Sequence, residues 1–228
     1  MVTPGPTFYR CSLAVEYDSV LFPFELLLFL RSLAQRGYLI PEPLALEILA
    51  PPPGARLEGG KLIARKADIL VALNTERKTM AVNAAGPEAA ADEIETLEAL
   101  VRDELGIDAS QSARFYELST ALTVTSTANP LQSWDASLRG VPIVSRISDI
   151  IGAEIAPFGL RFVGRDQQPG DSEWLDVRIE PRTHAPTTHH FADIVFRHPD
   201  RTRVMEFARN LEQTVRAIVA LLEEDSAP

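Results

Sequence analysis

The sequence predicts an α+β fold made of duplicated β-α-β(3–4)-α units, which form a curved antiparallel sheet with helices on one face. Three observations predict it. Short runs alternate apolar and polar residues with a period of two, as half-buried strands do, and they are interleaved with runs that carry a 3.6-residue apolar stripe. The two kinds of run recur in the same order in residues 1–110 and in residues 111–228. Finally, 228 residues suit one large domain or two units of about 100 residues each.

The first half begins with a strand over residues 8–17, with Tyr9, Cys11, Leu13 and Val15 on one face. Pro23 then stands where the first turn of a helix tolerates it, and the helix continues to Gly37, a natural C-terminal cap. Leucine or phenylalanine fills positions 24, 26 to 30 and 33, so this helix is apolar almost all round and must be buried on more than one side. A proline-rich stretch follows (Pro41, Pro43, Pro51, Pro52, Pro53) around an apolar run at 44–49, which suits an edge strand or a connector. Residues 61–65, 69–73 and 79–84 read as three short strands, the last two joined by a hairpin turn at 74–77. Gly86-Pro87 opens a long helix with Ala90, Ile94, Leu97, Val101 and Leu105 on one face; Glu88, Asp92 and Glu93 complement the dipole of its first turns, and Gly106 closes it.

The second half repeats this order. Residues 116–125 alternate as a long strand, and Pro142 opens a helix with Ile143, Ile147, Ile150 and Ile151 on one face. Strands follow at 158–162, 174–180 and 191–197. The last helix starts near Pro199-Asp200, with Phe207, Leu211, Val215 and Ile218 expected in the core. The connection at 108–114 is short, so the halves are expected to pack as one pseudo-symmetric domain with a cleft between them.

The order strand, helix, strands, helix, present twice, resembles the saddle of the TATA-box binding protein family. The likeness is one of element order over most of the chain, with no sequence motif behind it, and it implies a fold alone. That family's DNA binding is not carried over, because 22 Lys plus Arg stand against 32 Asp plus Glu, a net charge of -10 that repels phosphate. The three lysines, Lys61, Lys66 and Lys78, supply no basic patch for a membrane surface. The most apolar run, residues 20–30, contains Glu25 and is shorter than a membrane span. With Cys11 the sole cysteine, neither an internal disulfide nor a cysteine zinc site can form. The expected location is cytoplasmic, with no nucleic-acid or membrane partner.

His184, His189, His190 and His198 lie close in sequence, but His189 and His190 should point to opposite faces of a strand. No metal site is therefore expected, and these histidines read as solvated loop residues. Asp176 and Glu180 share a strand face with Arg178 between them, which reads as an ion-pair ladder or as a pair of general acid–base groups. Cys11 reads as a small core residue or a reactive thiol. No nucleophile elbow, phosphate loop or dinucleotide fingerprint is present, and no catalytic residue or cofactor is predicted. Arginines crowd the second half, and Arg161, Arg178 and Arg197, with His189 and His198, form a candidate anionic-ligand set. Leu26, Phe29 and Leu33 form an i,i+3,i+7 stripe on the first helix, a candidate self-association surface unless residues 41–54 cover it. The sequence thus points to a non-catalytic binding or adaptor protein acting through a protein partner or a homo-oligomer. Its alternative is a small-molecule binder or enzyme using the cleft between the halves.

Overall fold

The computed structural model describes residues 5–18, 23–41 and 61–224. The run at 44–49, its flanking prolines from Pro43 to Pro53 and the proposed cover at 42–54 lie outside the described residues. Eight strands form one antiparallel sheet: β1 (Thr7–Tyr17), β2 (Lys61–Lys66), β3 (Ile69–Asn74), β4 (Thr79–Asn83), β5 (Ala113–Thr125), β6 (Leu160–Val163), β7 (Trp174–Pro181) and β8 (His189–His198). Their order across the sheet is β2-β3-β4-β1-β5-β8-β7-β6. Five α-helices accompany them among the described residues: α1 (Leu26–Gln35), α2 (Pro87–Leu105), α3 (Pro130–Leu138), α4 (Pro142–Ile151) and α5 (Arg201–Glu224).

Register shows why the sheet holds together. Val71, Val82, Leu13, Leu118, Phe196 and Leu175 stand side by side on β3, β4, β1, β5, β8 and β7, an apolar row across six strands. Along β1, Cys11, Leu13, Val15 and Tyr17 are buried while the residues between them are partly exposed, the alternation of a sheet with one covered face. Helix α2 packs near β1 and β4, and α5 near β5 and β8. The predicted first face of β1 needs one correction. A bulge between Phe8 and Arg10 shifts the phase, so Phe8 pairs with Leu122 and Tyr9 is exposed.

The helix termini follow their sequence signals. Pro87 occupies the start of α2, and Gly106 ends it at φ 68°, a left-handed cap that glycine adopts without a Cβ clash. Helix α1 begins at Leu26, three residues after Pro23. On α5 the fully buried line is Val204, Ala208, Leu211, Val215 and Val219, joined by Met205. Phe207 and Ile218, expected at its centre, flank this line and are half-buried; the Phe207 ring rests on Phe196 at 4.4 Å. Each fully buried Leu or Val contributes roughly 1.5–3 kcal/mol of transfer free energy.

The stripe on α1 faces inward. Phe29 and Leu33 are fully buried in the chain's own core, Leu26 is half-buried against it, and Leu28 is the exposed leucine. A helix apolar almost all round can seat more than one side on a sheet, and here the Leu26–Phe29–Leu33 side is the seated one. Phe29 and Leu33 thus belong to the chain's own core, and Leu26 is the member of the stripe that keeps some exposed surface.

Candidate binding face

Residues that point away from the helices form the other side of the sheet. Its most polar part is a row in exact register: Arg161 on β6, Arg178 on β7, Asp193 on β8, Ala121 on β5 and Arg10 on β1. Arg161 donates two hydrogen bonds to Asp176, at 2.8 and 2.6 Å, and holds that carboxyl below the usual carboxylate range. Arg10 donates to Asp193 at 2.8 Å, and Arg178 lies 3.5 Å from the same carboxylate and 3.8 Å from Glu180. Three guanidinium groups thus share Asp176 and Asp193 around a shallow hollow of about 170 Å³. Asp176, Arg178 and Glu180 form an ion-pair ladder rather than a pair of free acids.

Arg197 sits apart from this row. It donates two hydrogen bonds to Glu117, at 2.8 and 2.5 Å, and two more to the carbonyls of Pro169 and Asp171. Its guanidinium also lies over the Phe115 ring at 4.5 Å, as Arg178 lies over Phe191 at 5.5 Å. Towards β3 and β4 the same face becomes a floor of small side chains, with Ala72, Ala81 and Ala14 in one row and Ser12 beside Ser119.

The histidines do not join the arginines as one site. His189 and His198 stand at opposite ends of β8, nine residues apart, which is about 30 Å at 3.3 Å per residue. They also fall on opposite faces. The Thr188 hydroxyl lies 2.8 Å from Nδ1 of His189, whereas His198 accepts the Asp200 N–H on Nδ1 and turns Nε2 toward Glu173 and Arg203. The halves meet in a continuous β1–β5 ladder, and the hollow over the arginine row takes Arg10 from the first half and Arg161 and Arg178 from the second. Among the described residues no group of three or more His, Cys, Asp or Glu side chains is placed to hold a metal ion.

His190 differs most from its expected loop setting. It is 1% exposed on the helix side of β8, edge-on to Trp134 at 6.4 Å, with Nε2 3.4 Å from Glu223. Neither its ring nitrogens nor Trp134 Nε1 has a hydrogen-bond partner among the described residues. Burial pushes the His190 pKa down from 6.5, against the opposing pull of Glu223. The unfolded chain therefore takes up a proton that the folded chain refuses, so this residue's share of stability is complete above about pH 6.5 and is lost as pH falls below it. Urea titrations should show stability declining from pH 7 to pH 5 by at most about 1.4 kcal/mol per pH unit for this proton. His190→Phe should flatten that limb; a limb as steep as the wild type's would refute the assignment.

Cys11 lies on the buried side of β1, where burial pushes its thiol up to about 11 despite a hydrogen bond involving Thr120. At pH 8 a disulfide reagent such as Ellman's should label the native chain about 100-fold more slowly than the urea-unfolded chain, since the thiolate is the nucleophile. Equal rates would remove Cys11 from the core.

Sequence reasoning missed Arg10 as a member of the arginine row and missed α3 altogether. Arg10 joins Arg178 only through the pairing of β1 with β5 and of β5 with β8, which a single sequence does not display. Helix α3 did carry a readable signal: Asn129 caps it by accepting the Leu131 N–H, and Pro130 follows at the first position. No helix among the described residues is long and apolar enough to cross a membrane. No protein-family model matches this chain, and no curated protein matches it.

Proposed function

We propose that the chain is a non-catalytic binding protein that recognises another polypeptide through the open face of its sheet. The observation that carries this reading is the make-up of that face. A floor of Ser12, Ala14, Ala72, Ala81 and Ser119 lets a partner's backbone approach closely, and beside it stand three arginines against two carboxylates. The hollow over the arginine row suits one acidic side chain, which would compete for guanidinium groups now held by Asp176 and Asp193. A small-molecule site built from Arg161, Arg178, Arg197, His189 and His198 has less support, since those residues lie on two faces and along the full length of β8.

The strand order is symmetric about the β1–β5 junction, which supports reading the chain as two copies of one β-α-β-β-β-α unit, with α3 and α4 standing in the second half where α1 stands among the described residues of the first. The net charge of -10 and the lone, buried cysteine support a cytoplasmic partner other than nucleic acid.

The test is photocrosslinking in the native host cell, with benzoylphenylalanine placed at Ala81 on the floor or at exposed Glu88 on α2. A discrete protein adduct from Ala81 and none from Glu88 is the expected result. Absence of an adduct at Ala81, together with stabilisation by a small anion in a thermal-shift screen, would replace this reading with the small-molecule one.

A further inference from the structure

Resting on the open-face reading above, we propose that the partner presents an extended segment with two anchors. An Asp or Glu side chain sits over the arginine hollow and, four residues away, a large apolar side chain fills a second hollow beside it. The second hollow, of about 380 Å³, adjoins the first, since Arg10 lines both. Leu70, Ala84 and Tyr9 give it apolar walls. Tyr9 is 51% exposed, with its hydroxyl 3.1 Å from Thr123 Oγ1 and the Arg182 guanidinium 5.5 Å from its ring centre. The ring is therefore in place before anything binds, which lowers the cost of ordering it. Asp68 also lines this hollow and repels a carboxylate, so the acid belongs over the arginines.

Charge selects what the first hollow takes. Its guanidinium groups are the outward members of their pairs: the side chains of Arg10, Arg161 and Arg178 are 54%, 64% and 44% exposed, those of Asp176 and Asp193 16% and 33%. A carboxylate arriving from solvent meets guanidinium donors first. Arg178 holds its two carboxylates loosely, at 3.5 and 3.8 Å, longer than a good hydrogen bond. Geometry selects the spacing. The arginine hollow is lined from β1, β6, β7 and β8, and the second from β1, β3, β4 and their turns, so their middles lie over β8 and β4. These strands stand three spacings apart in the order β4-β1-β5-β8, about 14 Å at 4.8 Å each. An extended chain covers that distance in about four residues, and an even separation turns both side chains to one side. A helix needs about nine residues, which puts the second side chain half a turn away on its rear. Between the hollows the register sets Asn83, Ser12 and Ser119 side by side, short polar groups suited to the N–H and C=O groups of a backbone lying across the strands.

Selection from a phage library of random peptides on the whole 228-residue chain tests this. Enriched sequences should carry Asp or Glu and a large apolar residue four positions apart, in either order. For a selected peptide, fluorescence anisotropy should show binding weakened about tenfold or more by Arg178→Glu or by Leu70→Asp, and unchanged by Glu88→Ala on α2. Replacing the peptide's acid by its amide should weaken binding by a similar factor, and that loss should shrink at high salt. The amide peptide decides the matter even if Arg178→Glu fails to fold. Enrichment without the pair, no enrichment, or a selected peptide that binds Arg178→Glu as tightly as the wild type overturns the proposal. If the Ala81 probe gives its adduct in the cell while selection shows no such pair, the two-anchor segment falls and the open-face reading stands. The small-anion outcome of the Ala81 experiment removes both.

Discussion

Phe29→Ala is expected to lose about 3–5 kcal/mol of stability while leaving the mass of the particle unchanged. Phe29 is fully buried on α1, and its ring packs on Phe24 with centroids 4.7 Å apart. Phe24 in turn meets Tyr17 of β1 edge-on at 6.3 Å, so the aromatic side chain ties the helix to the sheet. Truncation removes the transfer free energy of a ring and leaves a cavity that this set of rigid neighbours fills poorly. Urea titration measures the loss and light scattering measures the mass. A loss under 1 kcal/mol, or a drop in mass with stability intact, would return the Leu26–Phe29–Leu33 stripe to the role of an interface.

Glu98→Ala is expected to cost about 3 kcal/mol, because it strands polar groups from two other elements. Glu98 is buried on α2, where it accepts the Tyr116 hydroxyl of β5 at 2.6 Å and the Arg201 Nε–H of α5 at 2.7 Å. Burial and the adjacent Glu98 carboxylate push the Tyr116 phenol well above its ordinary range. Losing one partner of a buried pair costs about 3–5 kcal/mol, and the lower end applies because Arg201 is one-third exposed and keeps Glu95 at 3.4 Å. Glu98→Gln, which retains an acceptor for Tyr116, should cost about half as much. In a double-mutant cycle, Tyr116→Phe should show a coupling with Glu98→Ala above about 0.5 kcal/mol. Additive losses would mean that the two groups do not act together.

Strands and long helices were legible because burial acts on periodicity, which a sequence displays directly. Leu13 and Val15 alternate with polar neighbours whatever strand they pair with, and Leu211 and Val215 mark one side of α5. What pairing decides was hidden. The arginine row exists only because β7 and β8 align Arg178 with Asp193, and two bonds of register further on stands Arg10. The first helix is apolar almost all round, so periodicity could not say which of its sides meets the sheet. His190 reads as a loop residue beside Pro186, Thr187 and Thr188, yet β8 begins one residue earlier and turns it into the core. The stripe on α4 was legible as a stripe; that the fold buries none of its residues was not.

The junction of the halves also orders events in time. Thr120 on β5 donates to the Arg10 carbonyl on β1 across 110 residues of sequence. Until β5 has been synthesised, β1 is an edge, with Thr7–Tyr17 lacking its ladder partner on one side. At about 5–20 residues per second, the ribosome leaves that edge open for on the order of ten seconds. An open antiparallel edge is a template for strands of other chains. The nascent first half is therefore the species of this protein most exposed to mispairing, and the emergence of β5 is the step that ends the hazard.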